Sequence, residues 1–298
     1  MEDRSEEPLA SFGLIADVQY GDKADIVASN GKTRRYREAA GKLAKAIAFF
    51  NLKKDELLFM LSLGDIVDGN TTKEKTMEDF DVVLAELQKL DLEAVHLIGN
   101  HCLSLPRELL KQKLSIPAFY YQRDLCPGWR LVVLDTMDMS VKWPEHTPNY
   151  KEALDFQKSH PFGVDHPQMA LWNGGIGSKQ RVWLDNAVRD AQRSNTKLIV
   201  CGHHPIVAGS SPPKHLAWNH HQILSTLLGS PEVVLYLCGH YHSGGYACIN
   251  GKHFVTLEAI LEAPEGWCAH GLLRIYNGWI EIQGYGSVIS RRLHFKNI

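Results

Sequence analysis

The sequence predicts an α/β protein of four layers (α/β/β/α), in which two mixed β-sheets pack face to face with helices outside. Short apolar runs alternate with stretches of helical periodicity through most of the chain. Several runs, such as 56–63 and 233–238, are apolar without alternation, as expected for strands buried on both faces. Near the C-terminus, Asn250-Gly251 and Asn277-Gly278 each stand between strand-like stretches, which is typical of antiparallel hairpins.

The individual elements follow from this alternation in chain order. Strands are predicted over 11–18, 56–63, 94–98, 129–134, 197–201 and 233–238, and helices over 35–51, 75–90, 106–114, 178–193 and 220–228. In the helices the apolar residues recur at spacings of three and four, as Leu43, Ile47 and Phe50 do in the first. Pro106 suits the first turn of its helix, and Ser178 is expected to cap the helix that follows it.

A single domain over residues 11–298 accounts for the length. Residues 1–10 are acidic and polar, and we expect them to form a disordered tail. Segment 136–177 interrupts the alternation with prolines, a Gly-Gly pair and scattered aromatic residues, and it is predicted to be a long insertion loop. Four aromatic side chains on it could wall a nucleotide pocket: Trp143, Tyr150, Phe162 and Trp172.

The composition excludes several classes of protein. Hydrophobic residues make up 44% and charged residues 22%, the balance of an ordinary globular protein. A net charge of −2 offers no basic excess for a nucleic acid or an anionic membrane, and no apolar run approaches the ~20 residues of a membrane helix. Without a visible secretory leader or a C-x-x-C pair, we expect a cytoplasmic protein with reduced thiols, which acts as a monomer.

Polar residues of matching types follow five of the predicted strands, at the point where each strand ends. The blocks are Asp17-Val18-Gln19, Gly64-Asp65, Gly99-Asn100-His101, Gly202-His203 and Gly239-His240-Tyr241-His242. Ligands in α/β proteins bind at the carboxyl ends of strands, so these blocks are expected to converge. Carboxylate, amide oxygen and imidazole suit divalent metal ions, and the donors suffice for two. Taken singly, Asp and Asn could also be ordinary turn residues.

The five blocks resemble the calcineurin-like metallophosphoesterase family, whose pattern is D-x-H, G-D, G-N-H, G-H and G-H-x-H in this chain order. The resemblance implies two divalent metal ions, one held by Asp17, Gln19, Asp65 and His242 and the other by Asp65, Asn100, His203 and His240. It also implies that His101 is catalytic and faces the reacting phosphoryl group and the leaving oxygen. Gln19 departs from the pattern, which usually has His there. We interpret Asp68 and His204 as supporting neighbours, and the remaining histidines as surface or core residues.

Other stretches resemble the manganese-dependent branch of this family that hydrolyses ADP-ribose and CDP-alcohols: Asp17-Val18-Gln19, Thr33-Arg34-Arg35-Tyr36, Asn173-Gly174-Gly175 and Leu216-Ala217-Trp218-Asn219. The branch implies a diphosphatase in which a hydroxide bridging the metal ions attacks a nucleotide substrate. Mn²⁺ is the expected cofactor, with Mg²⁺, Fe or Zn²⁺ as alternatives. Arg34 and Arg35 could contact phosphate, and Trp218 and Asn219 a base or ribose. The alternatives are a solvated helix start and a buried tryptophan.

Other functions share the same five blocks. A cyclic-nucleotide phosphodiesterase and a phosphoprotein phosphatase are the enzyme alternatives, and a metal-binding scaffold is the non-enzyme alternative. An oxygen or nitrogen donor at all seven metal positions argues against a scaffold. The long insertion favours a walled pocket over the open groove that a protein substrate needs.

Overall fold

The computed structural model describes residues 7–296, which form two large β-sheets, a short ribbon and six α-helices. The strands are β1 (Ala10–Ile15), β2 (Ile26–Val27), β3 (Thr33–Arg34), β4 (Met60–Ser62), β5 (Ala94–His96), β6 (Tyr121–Cys126), β7 (Trp129–Val133), β8 (Lys197–Cys201), β9 (Val233–Cys238), β10 (Gly245–Ile249), β11 (Lys252–Thr256), β12 (Ala269–Tyr276), β13 (Trp279–Gly286) and β14 (Arg291–His294). The helices are α1 (Ala39–Leu52), α2 (Lys73–Leu87), α3 (Arg107–Lys113), α4 (Pro148–Ser159), α5 (Ser178–Ser194) and α6 (His220–Leu228).

Each large sheet has six strands and is mixed. The first has the order β14-β13-β12-β1-β4-β5, in which β1, β4 and β5 run parallel. The second has the order β10-β11-β9-β8-β7-β6, in which β7, β8, β9 and β11 run parallel. Asn250-Gly251 joins β10 to β11 and Asn277-Gly278 joins β12 to β13, both antiparallel pairs, so the two predicted hairpins are confirmed. The remaining strands, β2 and β3, pair only with each other, and residues 26–34 are called the short ribbon below.

Apolar packing arranges these elements in the predicted layers. One buried cluster joins the inner faces of both sheets to α1, α2 and α3, and includes Phe12, Leu43, Phe80, Leu110 and Leu235. A second cluster packs α5 and α6 on the outer face of the second sheet. Burying these surfaces at ~25 cal/mol per Å² of apolar area is the main force that holds the layers together. The α/β/β/α class is confirmed.

Several element boundaries differ from the predicted ones. The strand predicted over 56–63 shortens to β4, because the 3-10 turn Lys54–Glu56 comes before it and the chain turns at Gly64 after it. The first helix begins at Ala39 rather than at residue 35, because 33–34 belong to the short ribbon. Strand β6 was not predicted, since three polar residues in succession, Gln122, Arg123 and Asp124, interrupt any apolar run. Gly177, not Ser178, occupies the N-cap position of α5, and no N-cap side chain accepts a hydrogen bond there.

The segment 136–177 is not the continuous loop that the sequence predicted, because it contains α4. The Thr147 hydroxyl accepts a hydrogen bond from the Tyr150 N–H (3.3 Å), which starts the helix directly before Pro148. Reciprocal backbone hydrogen bonds of 2.9 Å between Met139 and Gly175 close the base of the segment. Prolines at helix starts explain why a proline-rich stretch was mistaken for a loop. Of the predicted tail, residues 1–6 lie outside the described residues, and Ala10 already belongs to β1.

Polar contacts inside the protein fix this segment. Asp138 Oδ1 accepts from Asn149 Nδ2 (2.8 Å), and its Oδ2 accepts from the Gly177 N–H (3.0 Å) and Gln180 Nε2 (3.1 Å). Just before the segment, Arg107 Nη1 donates to Asp135 Oδ2 at 2.6 Å, and both side chains are buried. Buried charge-assisted hydrogen bonds of this kind hold a connecting segment in one conformation.

Candidate metal centre

The five polar blocks meet at one place between the sheets. Three follow β1, β4 and β5 of the first sheet, and two follow β8 and β9 of the second. The carboxyl ends of both sets lie at the same edge of the sandwich, so residues from all five blocks come into contact. None of the seven side chains predicted as metal ligands is more than 7% exposed: Asp17, Gln19, Asp65, Asn100, His203, His240 and His242.

Unusual backbone conformations aim four of these side chains inward. Asp17, Gln19, Asp65 and His240 have φ angles of 49°, 44°, 51° and 69°, in the left-handed region that residues other than glycine seldom adopt. Such conformations cost about 1–3 kcal/mol each and concentrate at functional sites. Gly64 makes the crowding possible, because a Cβ there would lie 2.7 Å from His203 Nδ1 and its own φ is 95°.

One group of predicted ligands surrounds His203 Nε2. Asp65 Oδ2 lies 3.0 Å from this nitrogen, Asn100 Oδ1 3.1 Å and His240 Nδ1 3.2 Å. These are the four residues assigned by resemblance to the second ion. Three of these residues, Asp65, His203 and His240, have ligand atoms that all lie within 4.8 Å of one another, close enough to hold one metal ion.

The other group lies around His242 Nε2. Gln19 Nε2 lies 3.2 Å from His242 Nε2 and also donates to Asp65 Oδ2 at 3.2 Å, while Asp17 Oδ1 is 3.6 Å from His242 Nε2. The Asp65 carboxylate therefore contacts both groups, as a ligand shared by two ions must. Its other oxygen, Oδ1, accepts from the His101 N–H at 2.8 Å, which fixes the orientation of the carboxylate.

All three histidines are held through the ring nitrogen that faces away from the cluster. His203 Nδ1 donates to the Leu63 carbonyl oxygen (2.8 Å), and His242 Nδ1 donates to Glu262 Oε1 (2.8 Å). His240 Nε2 lies 2.9 Å from Asn173 Oδ1, whose own amide nitrogen donates to two backbone carbonyls. Each histidine thus turns its other ring nitrogen toward the cluster. This support by outer hydrogen bonds is the arrangement of metal-binding histidines.

The cluster fits divalent cations on two further observations. Asp17 Oδ1 and Gln19 Oε1 are buried and have no hydrogen-bond partner among the described residues, so both oxygens are open to a cation. Burial would raise the pKa of Asp65, but the charge and hydrogen bond of His203 hold it well below its usual range. Burial would lower the pKa of His203, yet Asp65 raises it to about 9, so a cation binding there must replace a proton.

His101 lies at the edge of the cluster with a partner of its own. Its Nδ1 is 2.8 Å from Asp68 Oδ1 and 3.1 Å from the Asp68 carbonyl oxygen, and about a third of its side chain is exposed. Asp68 also contacts Lys23 Nζ. Burial would lower the pKa of His101, but the hydrogen bond that it donates to Asp68 and the charge of Asp65 raise it above its usual value. Asp68 therefore orients a neighbour, as the sequence indicated, and favours a protonated His101.

The four residues predicted to bind substrate have different surroundings. Arg34 Nε donates to the buried Glu262 beside His242, at 3.2 Å, so Arg34 lies next to the cluster. Arg35 instead lies 3.8 Å from Glu38, directly before α1, and contacts the start of that helix. Trp218 is 2% exposed, and its indole N–H donates to a backbone carbonyl, so it offers no free face to a ligand. Of the two alternatives that the sequence left open for Trp218, a ligand contact and a buried tryptophan, the structure shows the buried one.

Asn219 also has a structural contact in place of a predicted ligand contact. It is 5% exposed, and its amide exchanges two hydrogen bonds with the backbone of Ile176, at 3.1 and 2.8 Å. This pairing fixes the end of segment 136–177, where a Cβ on Gly175 would collide with the Asn219 side chain.

Four residues around the cluster lie outside the predicted ligand set, and the sequence marked only Trp172 as a wall of the pocket. Trp172 is 38% exposed and its ring lies 5.2 Å from that of His240; the His215 ring lies 5.4 Å from His240. Trp172 is one of the four aromatic residues that the sequence offers as walls of a pocket, whereas the sequence indicates only a surface or core residue at His215. Asn173 was noted only within its Gly-Gly motif. Glu262 follows β11 without any pattern that would have marked it.

Comparisons with known proteins agree with this geometry. A family model described as calcineurin-like phosphoesterase matches residues 10–244. The manganese-dependent ADP-ribose/CDP-alcohol diphosphatase of Arabidopsis thaliana is 37% identical over 295 residues, which cover 93% of this chain and 94% of that protein. The human protein of the same name is 29% identical, with 98% of this chain and 94% of that protein covered. The resemblance predicted from the sequence is confirmed.

Solved structures give the same result for the fold. A dimetal phosphatase from Danio rerio superposes with a TM-score of 0.89 at 27% identity, covering 97% of this chain and 100% of that one. The anchor protein of the Plasmodium inner membrane complex has a TM-score of 0.58 at 15% identity, a likeness of fold alone. Within residues 7–296, no helix is long and apolar enough to cross a membrane.

Proposed function

The chain belongs to the calcineurin-like phosphoesterase family, and from this premise we propose that it is a metal-dependent diphosphatase. It would hydrolyse the P–O–P linkage of nucleoside diphosphate derivatives such as ADP-ribose and CDP-alcohols, giving two phosphate monoesters. The names of the relatives support the substrate class. One observation carries the proposal. Three histidines, each held by a hydrogen bond on its outer ring nitrogen, and the shared Asp65 carboxylate converge at one buried point.

We assign the seven clustered side chains to two divalent ions. Asp17, Gln19, Asp65 and His242 would hold the first, and Asp65, Asn100, His203 and His240 the second; the contacts within each group support this division. Two such ions, when bound, neutralise charge on the phosphoryl oxygens and lower the pKa of an attacking water. The backbone of the five blocks fixes where the donors lie, and the Gln19 amide would turn over to present its oxygen, in place of Nε2, beside His242 and Asp65.

His101 is the proposed catalytic residue that acts on the leaving oxygen. Asp68 holds its Nδ1, so Nε2 is the nitrogen left to donate a proton to the substrate. The leaving group of a diphosphate is itself a phosphate, whose second pKa is about 6, and it needs less protonation than an alkoxide. Proton donation by His101 should therefore matter less for diphosphates than for phosphodiesters with poor leaving groups.

Arg34 and Trp172 are the proposed substrate contacts. Arg34 stands beside the first-ion group with about a quarter of its side chain exposed, and a guanidinium is suited to a phosphate oxygen. The Trp172 ring lies next to His240 and is partly open to solvent, so it can stack on a base or a ribose. Arg35, Trp218 and Asn219 have no place in this pocket, because their side chains engage other parts of the protein.

Manganese is the proposed metal, as the names of the relatives also say of those proteins. Gln19 gives the first ion an amide oxygen where the family usually gives an imidazole, and oxygen donors suit Mn²⁺ better than Zn²⁺. We also propose that the enzyme acts as a monomer in the cytoplasm on a small-molecule nucleotide, without nucleic acid or membrane. The cysteine usage supports a reducing compartment.

A substrate panel tests the proposed function. Metal-stripped protein is incubated with Mn²⁺ and, separately, with ADP-ribose, CDP-choline, cyclic AMP or a phosphopeptide, and the products are identified by chromatography. We expect AMP with ribose 5-phosphate from the first, and CMP with phosphocholine from the second. Protein without added metal is the matched control and should be inactive. Faster turnover of cyclic AMP or of the phosphopeptide would contradict the proposal.

A further inference from the structure

The Glu262 carboxylate joins the metal cluster to the short ribbon. Its Oε1 accepts from His242 Nδ1 at 2.8 Å and from Arg34 Nε at 3.2 Å, and its Oε2 accepts from Asn30 Nδ2 at 2.8 Å. The Glu262 side chain is 1% exposed. A single buried carboxylate thus contacts a proposed metal ligand and two residues of a surface ribbon more than 200 positions away in the sequence.

The backbone that carries Glu262 is fixed to the rest of the site. The Leu261 N–H donates to the Asp17 carbonyl oxygen at 3.1 Å. The buried Lys42 ammonium group donates to the Ala263 carbonyl oxygen at 2.7 Å. Because Leu261 and Ala263 are both held by hydrogen bonds, the Glu262 carboxylate has a fixed position. It can therefore set the positions of the groups that donate hydrogen bonds to it.

The short ribbon depends on this fixed point for its place above the cluster. Asn30 Nδ2 donates to Glu262 and also to the hydroxyl of Ser243, the residue after His242, at 3.1 Å. On the strand itself Ile26 and Val27 are 47% and 73% exposed, so apolar packing contributes little there. Polar contacts to the cluster therefore set the position of the ribbon and of Arg34 on it.

We propose that Glu262 is a positioning residue that couples metal binding at the first-ion group to binding of the substrate diphosphate by Arg34. The same oxygen, Oε1, turns His242 Nε2 toward the first-ion donors and holds the Arg34 guanidinium beside them. A shift of either partner changes the position available to the other. The coupling is reciprocal. If a bound diphosphate raises the affinity of the protein for the metal by some factor, the bound metal raises the affinity for the diphosphate by the same factor. The substrate half of this inference rests on the proposed function.

Metal titration without turnover tests the coupling. Mn²⁺ is added to the metal-stripped protein, and free Mn²⁺ is measured by its electron paramagnetic resonance signal. Each titration is repeated with α,β-methylene-ADP, a diphosphate analogue whose P–C–P bridge cannot be hydrolysed. The variants are Glu262→Gln and Arg34→Ala. Glu262→Gln keeps the shape of the side chain but replaces an accepting oxygen with an NH₂ group, which must face one of the hydrogen-bond donors around it. The matched control is Glu258→Gln.

The variants should separate the two halves of the coupling. In the unsubstituted protein the analogue should raise the Mn²⁺ affinity about fivefold or more. Glu262→Gln should lower the affinity without the analogue about tenfold, the effect of losing a partner that orients a ligand, and should reduce the increase to what direct contact between the diphosphate and the metal supplies. Arg34→Ala should change the affinity without the analogue much less and should reduce the increase to the same extent. It supplies the test if Glu262→Gln does not fold.

The control distinguishes coupling from loss of any buried carboxylate. Glu258 lies on the same stretch and is 4% exposed, but its carboxylate accepts from Arg291 and the Ile289 N–H, outside the cluster. Glu258→Gln should titrate like the unsubstituted protein. An unchanged Mn²⁺ affinity and an unchanged increase in Glu262→Gln would overturn the inference, as would an analogue without effect on the unsubstituted protein. Intact coupling in a protein that hydrolyses no diphosphate would support the inference and contradict the proposed function.

Discussion

The metal cluster and the segment 136–177 touch each other at His240 but are built in opposite ways. Each block of the cluster spans a few residues and directly follows a strand, so the sheets themselves position its side chains. The segment reaches the same point through α4 and through buried polar contacts such as those of Asp138. Trp172 and Asn173, near its end, supply an open aromatic ring and the hydrogen bond that fixes His240.

The two parts of the molecule differ in how freely their sequences can vary. A ligand at a strand end needs only its own block and an intact sheet, so the chemistry is tied to short sequence motifs. Segment 136–177 depends on many contacts between residues distant in sequence, and several of these contacts can change without disturbing the sheets. We therefore expect substitutions in the cluster to abolish catalysis, and substitutions in the segment to change substrate binding or stability.

The largest effect is expected from Asp65→Ala. The carboxylate contacts both groups of proposed ligands, so its loss should lower kcat/KM about 10⁴-fold or more in the diphosphatase assay. The Mn²⁺ titration should show loss of tightly bound metal, while circular dichroism should show the same fold. His240→Ala should act in the same direction. Normal turnover in either folded variant would refute the assignment of two ions to this cluster.

His101→Ala should keep both ions and lose turnover by about 10²–10⁴-fold. Because the residue is proposed to donate a proton to the leaving oxygen, the loss should be greater for the methyl ester of AMP than for its p-nitrophenyl ester. The rates of both esters and the Mn²⁺ affinity are measured on the same preparation. An equal loss for the two esters would argue against a leaving-group role, and weaker metal binding would make His101 part of the cluster.

Asp138→Asn should change stability with pH while the metal affinity stays the same. Burial and the nearby Asp135 raise the pKa of Asp138 to about 6. The Asp138 carboxyl group therefore binds a proton more tightly in the folded protein than in the unfolded chain. The contribution of this group to stability is complete below about pH 4 and is lost as the pH rises through 6, by about 3 kcal/mol. Urea unfolding at several pH values should show this decline in the unsubstituted protein relative to Asp138→Asn. A constant difference between the two proteins would contradict it.

Trp172→Ala should have the smallest effect, on substrate binding alone. Loss of a stacking ring of this kind is worth about 1 kcal/mol, so KM for ADP-ribose should rise several-fold with little change in kcat. Phe162→Ala is the matched control, since Phe162 lies on the same segment and is 69% exposed. Its steady-state constants should not change. Equal effects of the two substitutions would remove Trp172 from the pocket.

The sequence was informative about the cluster because strands and ligands are neighbours there. The order of the five blocks and the apolar runs before them led to all seven side chains that the structure brings together. The positive φ angles of Asp17 and Gln19 were not predictable, because they depend on the crowding of several strand ends.

Two tryptophans show why the sequence does not predict which side chains beside the metal cluster face a ligand. Trp172 and Trp218 both lie near polar motifs, and nothing local in the sequence distinguishes them. Trp218 is buried because Met139, Ala153 and Met169, all from segment 136–177, pack against it. Trp172 is 38% exposed and contacts the rings of His215 and His240 instead. Which of the two faces a ligand is decided by contacts between distant parts of the chain, and periodicity does not encode such contacts.

The place of β1 in its sheet has a consequence for synthesis of the protein on the ribosome. β1 pairs on one side with β4 and on the other with β12, which begins at Ala269. At about 5–20 residues per second, one edge of this apolar strand has no native partner for tens of seconds after it leaves the exit tunnel. An unpaired apolar edge invites association with other chains. A nascent chain of this protein is therefore expected to need a chaperone during translation, and a slower ribosome would lengthen that need.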